Sequence, residues 1–215
     1  RDLPSLYGIQ DVQELNSLFT TIAFNSGNEF SYDTLSTTSG VSKNTIKKYV
    51  SYLEAAFLIR VVNRIDLGGK KFKRANYFKI YLTNPSLRSA LFSPINTDSE
   101  VMGNMVETAI FSQWFHRYWH TPYYARWKSG EVDMVGLSSE KLKPAWAVEI
   151  KWSNRYFSKP GELKSLYNFL IKNNLKRAIV TTIDITNEIE QKGVFYDYMP
   201  SSLYCYTIGK RTIDQ

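Results

Sequence analysis

The sequence predicts an α/β protein of two units, the first in winged helix-turn-helix order and the second an α/β unit built on a mixed sheet. Three observations carry this reading. Helix-period apolar spacing recurs three times before residue 57, and two strand-like runs around a basic loop follow it. After residue 98 strand-like and helix-like segments alternate. No stretch approaches the roughly 18 consecutive apolar residues that a membrane span requires. The composition, 43% hydrophobic and 22% charged over 215 residues, is that of an ordinary globular chain long enough for one large or two small cores.

Val12, Leu15, Leu18, Phe19 and Ile22 fall at helical spacing and predict a first helix over 12–24, stopped by Asn25-Ser26-Gly27-Asn28. Ser31 caps a short second helix that ends near Ser39-Gly40. Ser42 caps a third, from Lys43 to about Ala56, with Ile46, Tyr49, Val50 and Leu53 as its inward stripe and Phe57 closing it. The run 57–65 reads as a strand, 66–74 as a basic, glycine-bearing loop and 77–82 as a returning strand. Gly40-Val41 supplies the tight turn between the second and third helices. In this order the third helix is the recognition helix, with Lys43, Asn44, Lys47 and Lys48 on its polar side. The loop bearing Lys70, Lys71, Lys73 and Arg74 is the wing.

Charge placement points the same way. The net charge is +7, but residues 41–88 hold eleven Lys or Arg against Glu54 and Asp66, a local +9 that leaves -2 for the rest. Such a field suits double-stranded DNA, and equally an acidic protein surface or a solvated face.

A boundary near Asp98 divides the chain into units 1–97 and 98–215. The second unit is expected to hold a helix over 100–117, strands over 123–127, 131–137 and 145–152, a helix over 162–172, a strand over 177–182 and a last strand over 202–208.

Two of these strands carry the candidate chemistry. Alternation places Glu131 and Asp133 on one face, with Val132 and Met134 together on the other. In the next strand Ala145, Ala147, Glu149 and Lys151 oppose Trp146, Val148, Ile150 and Trp152. A charged pair at the end of so apolar a strand needs partners. Asp133 supplies one if the strands pair, and Glu107 can join from the long helix. Carboxylates crowded in one cleft repel unless protonated or neutralised by a cation, and oxygen-only ligands select Mg²⁺ or Mn²⁺. Lys151 can then orient or help deprotonate an attacking water and stabilise charge on the phosphate. The alternative is a structural ion-pair cluster tying helix to sheet.

Other chemistries are not expected. No GxxxxGK[ST] or GxGxxG run offers a nucleotide site, and no nucleophile elbow is present. His116 and His120 have neither a Cys nor a further His near them in sequence, so zinc is not expected. Cys205 is a lone thiol, which fits a reducing, cytoplasmic location, and the start at Arg1-Asp2-Leu3-Pro4 carries no signal peptide. Oligomeric state is left open.

RDLPSLYGIQD, GVSKNTIKKYVSYLEAAFLI, YFKIYLTNPSLRSALF, GNMVETAI, EVDMVG and VEIKWS together resemble the C-terminal portion of a prokaryotic family of AAA-type ATPases. The tail of that family is a domain of unknown function with a restriction-endonuclease-like fold. The resemblance implies that the chain is a fragment preceded by an ATPase domain of the same polypeptide. It also implies a PD-(D/E)xK restriction-endonuclease-like second domain, with Glu107 as the helical acid, Asp133 as the metal-binding aspartate, and Glu149 and Lys151 as the acid-x-lysine pair.

Overall fold

The structure, a computed structural model, describes residues 11–70, 76–117 and 120–214. Helix α1 (Val12–Phe24) starts where the Asp11 carboxylate accepts from the Gln13 and Glu14 amides. Strand β1 (Glu29–Ser31) leads into α2 (Tyr32–Ser39), which Ser31 caps and Gly40 ends at φ 71°. Ser42 caps α3 (Lys43–Ala55), whose buried stripe is the expected Ile46, Tyr49, Val50 and Leu53. Phe57 does not extend that stripe. It is 68% exposed at φ 57°, where the turn into β2 (Ile59–Ile65) needs a left-handed residue, and the Arg60 guanidinium covers its ring. Strand β3 (Tyr77–Leu82) returns, and α4 (Ser86–Phe92) follows before the expected boundary near Asp98.

The remaining elements are α5 (Met102–Trp114), β4 (Tyr123–Trp127), β5 (Gly130–Leu137), β6 (Pro144–Glu149), a short α6 (Arg155–Ser158), α7 (Lys164–Lys172), β7 (Arg177–Thr182), β8 (Asn187–Gln191), β9 (Val194–Pro200) and α8 (Ser201–Ile213). The last of these overturns the strand expected over 202–208. Ser201, Tyr204 and Ile208 are its buried residues, a spacing of three and four that is helical. The closing strands lie earlier, as a β8–β9 hairpin turning at Lys192-Gly193, both with positive φ (51° and 78°) as a two-residue I′-type turn requires.

All nine described strands form one mixed sheet in the order β1-β3-β2-β4-β5-β6-β7-β9-β8. The sheet runs unbroken past residue 98, because β2 and β4 pair in parallel through Arg64–Tyr124 and Ile65–Ala125. Helices cover both faces, which makes the molecule an α/β protein. Ile22, Ile46 and Leu53 of the first helices pack on Ile59, Phe78 and Ile80. Helix α7 covers Val132, Ala147, Val180 and Tyr196 with Leu166, Phe169 and Leu170. On the other face α5 and α8 bury Ile110, Phe111, Tyr204 and Ile208 against Tyr81, Tyr124, Met134 and Val148.

The expected alternation of β5 fails at one point. Ala125 faces Val132 and Tyr123 faces Val135, so Asp133 and Met134 together oppose the single residue Tyr124. This β-bulge sends Val132 into the α7 core and Met134 into the α5–α8 core, not to one face as alternation predicts. Asp133 sits in the bulge.

Candidate functional site

Strand β6 ends at Glu149, and the next two residues are held by their backbones. The Ile150 amide donates to Asp133 Oδ2 at 2.7 Å, and the Lys151 amide donates to Thr181 Oγ1 at 2.8 Å. Thr181 returns a bond to the Lys151 carbonyl at 3.0 Å, so this buried threonine clamps the segment to β7. Lys151 Nζ lies 3.2 Å from Asp133 Oδ2 and 2.9 Å from Glu149 Oε1. The three residues expected to converge do so, with the ammonium between the two carboxylates.

Glu107 from α5 stands in an adjoining cluster. Its Oε1 is 3.0 Å from Lys79 Nζ and accepts from the Tyr81 hydroxyl. Lys79 Nζ is also 2.7 Å from Glu131 Oε1, and Arg126 reaches Glu131 Oε2 at 3.1 Å. Beyond lies Glu29, which Arg64 and Arg126 approach at 3.6 Å and to which the Tyr124 hydroxyl donates at 2.7 Å. Ion pairs thus run from Glu107 across to Glu29 and span both halves of the sequence, and the charge of Lys79 acts on Asp133 from beside them.

Sequence reasoning missed Lys79, Tyr81 and Thr181. Lys79 was counted in the basic field of 41–88, yet it is only 5% exposed. The signal lay in β3 itself, where Phe78, Ile80 and Leu82 face one core and leave Lys79 and Tyr81 on the opposite side. Burial of an ammonium demands acids beside it.

The charges divide unequally. Burial works against an ionised Asp133, but Lys151, Lys79 and the Ile150 amide outweigh it and hold the carboxyl below its ordinary value. Glu149 is pushed up to about 7, first by burial and then by the Asp133 charge. Its Oε2 is buried with no hydrogen-bond partner among the described residues, and the residue is only 7% exposed. Burial likewise raises Glu107 despite Lys79. Burial opposes the charge on Lys151, yet Asp133 and Glu149 raise it well above the ordinary lysine range. Both acids thus favour the ammonium form of Lys151.

Carboxylate oxygens are the donors that a hard divalent cation of the Mg²⁺ class takes, but the Lys151 ammonium lies between these two. The neighbours of Asp133 favour its ionised form, while Glu149 meets Lys151 through Oε1 alone and leaves Oε2 without a partner among the described residues. Among the described residues no group of three or more His, Cys, Asp or Glu is arranged to hold a metal. A cation here would have only the two carboxylates Asp133 and Glu149, beside its waters. His120 is otherwise engaged: its Nε2 accepts from Trp146 Nε1 at 3.2 Å, and burial with Arg117 lowers its pKa.

The residues expected to meet DNA are partly placed. Lys43, Asn44, Lys47 and Lys48 lie exposed on α3. Lys43 is paired with Asp33 at 2.6 Å, and Lys47 stands over the Tyr32 ring. The loop after β2 is organised by Asp66, whose Oδ1 accepts from the Gly68 and Lys70 amides. It is seated on the second half of the chain: the Leu67 carbonyl accepts from Asn173 at 2.9 Å. A Cβ on Gly69 would lie 2.3 Å from the Pro144 ring. Lys70 is exposed, while Lys71, Lys73 and Arg74 lie outside the described residues. Among the described residues no helix is long and apolar enough to cross a membrane.

Among known proteins, no curated protein and no solved structure matches the chain. A family model described as a domain of unknown function, DUF8612, matches residues 1–99, the portion that carries β1 to β3 and the four helices around them.

Proposed function

We propose that the chain is a DNA-associated module that cleaves phosphodiester bonds with Mg²⁺ or Mn²⁺, the C-terminal part of an AAA-type ATPase. The observation that carries the catalytic reading is the convergence of Asp133, Glu149 and Lys151 with the Glu149 Oε2 atom buried and unpartnered. Asp133 and Glu149 would hold the cation, which would polarise the phosphodiester and supply a hydrolytic water. The Ile150 amide fixes Asp133 Oδ2, and Thr181 fixes the backbone of Lys151. Lys151, kept charged by both acids, stabilises negative charge on the phosphate. Lys79 keeps Glu107 and Glu131 neutralised beside the site.

The order α1-β1-α2-α3-β2-β3, with β1 pairing β3, supports a winged helix-turn-helix reading of the first half. Lys43, Asn44, Lys47 and Lys48 dock on duplex phosphates, and the basic loop seated on Pro144 acts as the wing. The second half, with its acid-x-lysine strand inside an α/β sheet, is read as the restriction-endonuclease-like domain. The upstream ATPase domain is the partner in the same polypeptide.

A second reading is favoured by a specific observation. Lys151 already bridges both acids, and Glu107 is spent on Lys79 and Tyr81. Under that reading the acids are structural and the chain is a non-catalytic DNA- or protein-interaction module of the ATPase. Calorimetric titration with Mg²⁺ and Mn²⁺, on the wild type and on Asp133→Ala, separates the two. Binding that is lost in the variant, with metal-dependent cleavage of linear, branched or single-stranded DNA, supports the nuclease. No binding and no cleavage, with the full-length ATPase also inactive, leaves the interaction module.

A further inference from the structure

Arg88 of α4 is a buried charge that the site above does not use. It is 7% exposed, and its guanidinium lies beside the ring pair of Phe24 and Phe92, 5.3 Å and 5.6 Å from their centres. The rings face each other edge-on, 5.2 Å apart. Among the described residues no carboxylate and no hydrogen-bond acceptor reaches the guanidinium. Ring faces attract a cation but accept little from its five N–H donors. The other buried cation of this half, Lys79, shows what burial ordinarily demands, since two carboxylates hold it.

The side chain opens on a cleft of about 390 Å³ lined also by Ser93, Asn96, Asp98 and Ser99. That is within the range of small-molecule sites, roughly 300–1,000 Å³. Ser93, Asn96 and Ser99 bring two hydroxyls and an amide to the cleft lining. Asp98 is exposed and forms no ion pair with Arg88.

We propose that this cleft binds the oxyanion group of a small molecule, a phosphate or a carboxylate, through the Arg88 fork. A planar guanidinium that lies against two rings and lines the cleft offers a fork that suits two parallel N–H···O bonds to one oxyanion. The Ser93, Asn96 and Ser99 side chains supply further donors. Asp98 repels a fully charged anion at the rim, so it limits affinity and favours ligands that carry a proton or a positive group beside the oxyanion.

The test is thermal unfolding and calorimetry of the whole chain with sodium phosphate, sodium acetate or sodium chloride at matched ionic strength. Phosphate, acetate or both should raise Tm over chloride, by about 3 °C or more at tenfold the Kd. Whichever responds identifies the class of oxyanion. Arg88→Met should abolish the response, Arg88→Lys should weaken binding at least tenfold through loss of the fork, and Asp98→Asn should strengthen it several-fold. If Arg88→Met does not fold, Arg88→Lys carries the test, and unchanged affinity in it overturns the proposal. The proposal also fails if neither anion stabilises the wild type and Asp98→Asn more than chloride does, or if Arg88→Met keeps the response.

Discussion

Replacing Lys79 by methionine keeps the length of the side chain and its apolar stem while removing the ammonium that joins β3 to α5 and β5. Glu131 would retain Arg126 at 3.1 Å, but Glu107 would keep only the Tyr81 hydroxyl among its described partners. Breaking a buried pair by deleting one partner costs about 3–5 kcal/mol, because the other charge stays buried and uncompensated. For a chain of this size that lowers Tm by roughly 6–20 °C. The sign with pH follows from the directions already given. The folded-state value of Lys79 is raised, so its contribution is complete below the ordinary lysine range and is lost only as pH rises through that folded value. Glu107 is raised as well, so stability falls as pH climbs from the unfolded carboxylate value through the folded one, and without Lys79 that fall extends to higher pH. Urea unfolding followed by circular dichroism should therefore show a larger loss for Lys79→Met at pH 8 than at pH 5. Adding Glu107→Gln should recover a good part of it. A Lys79→Met variant within about 1 kcal/mol of wild type at both pH values would refute the reasoning, against the cost expected of a broken buried pair.

Other expectations follow from the same contacts. Glu149 is raised to about 7, so its burial costs stability that grows from the unfolded carboxylate value up to that pH. Glu149→Gln should be more stable than wild type at pH 8 by up to roughly 3 kcal/mol, and indistinguishable near pH 4, in chemical denaturation. Asp133→Ala and Lys151→Ala should each abolish metal-dependent cleavage, and circular dichroism should show the fold retained. Lys47→Ala and Lys48→Ala should weaken duplex binding alike on all sequences and lower the salt slope by about one each, read by fluorescence anisotropy. Gly136→Ala would set a Cβ 2.0 Å from the Trp146 ring, which stacks on Trp114. It should cost about 1–3 kcal/mol and shift tryptophan emission.

Much of the site was legible because strands alternate. Glu149 and Lys151 share a side of their strand, and the apolar Trp146, Val148 and Ile150 announced which side is buried. The bulge at Asp133 and Met134 was not legible, since an extra residue in a strand leaves period two intact on either side of it. The role of Lys79 was hidden by counting charge along the chain. Eleven cations in 41–88 read as a surface field, yet Lys79 and Arg88 are buried, Arg64 meets Glu29, and Lys43 meets Asp33. Their partners lie at sequence distances that no local window covers. Helix α8 was mistaken because Leu203, Cys205 and Thr207 alternate with aromatic and apolar neighbours, while burial follows Ser201, Tyr204 and Ile208. The β2–β4 pairing likewise depends on a contact between strands more than fifty residues apart.

That pairing has a practical corollary. A piece ending near residue 97 would leave one rim of β2 without its neighbour, and a piece starting near residue 98 would do the same to β4. Bare strand rims recruit whatever extended backbone they meet, and here each piece carries the other's natural complement. Co-expressed, the two pieces should reassociate into the parent sheet and restore the ion pairs of Glu29 with Arg126 and of Lys79 with Glu107 and Glu131. Produced singly, each should self-associate. The seam is therefore a place where the molecule can be split and made to report its own reassembly.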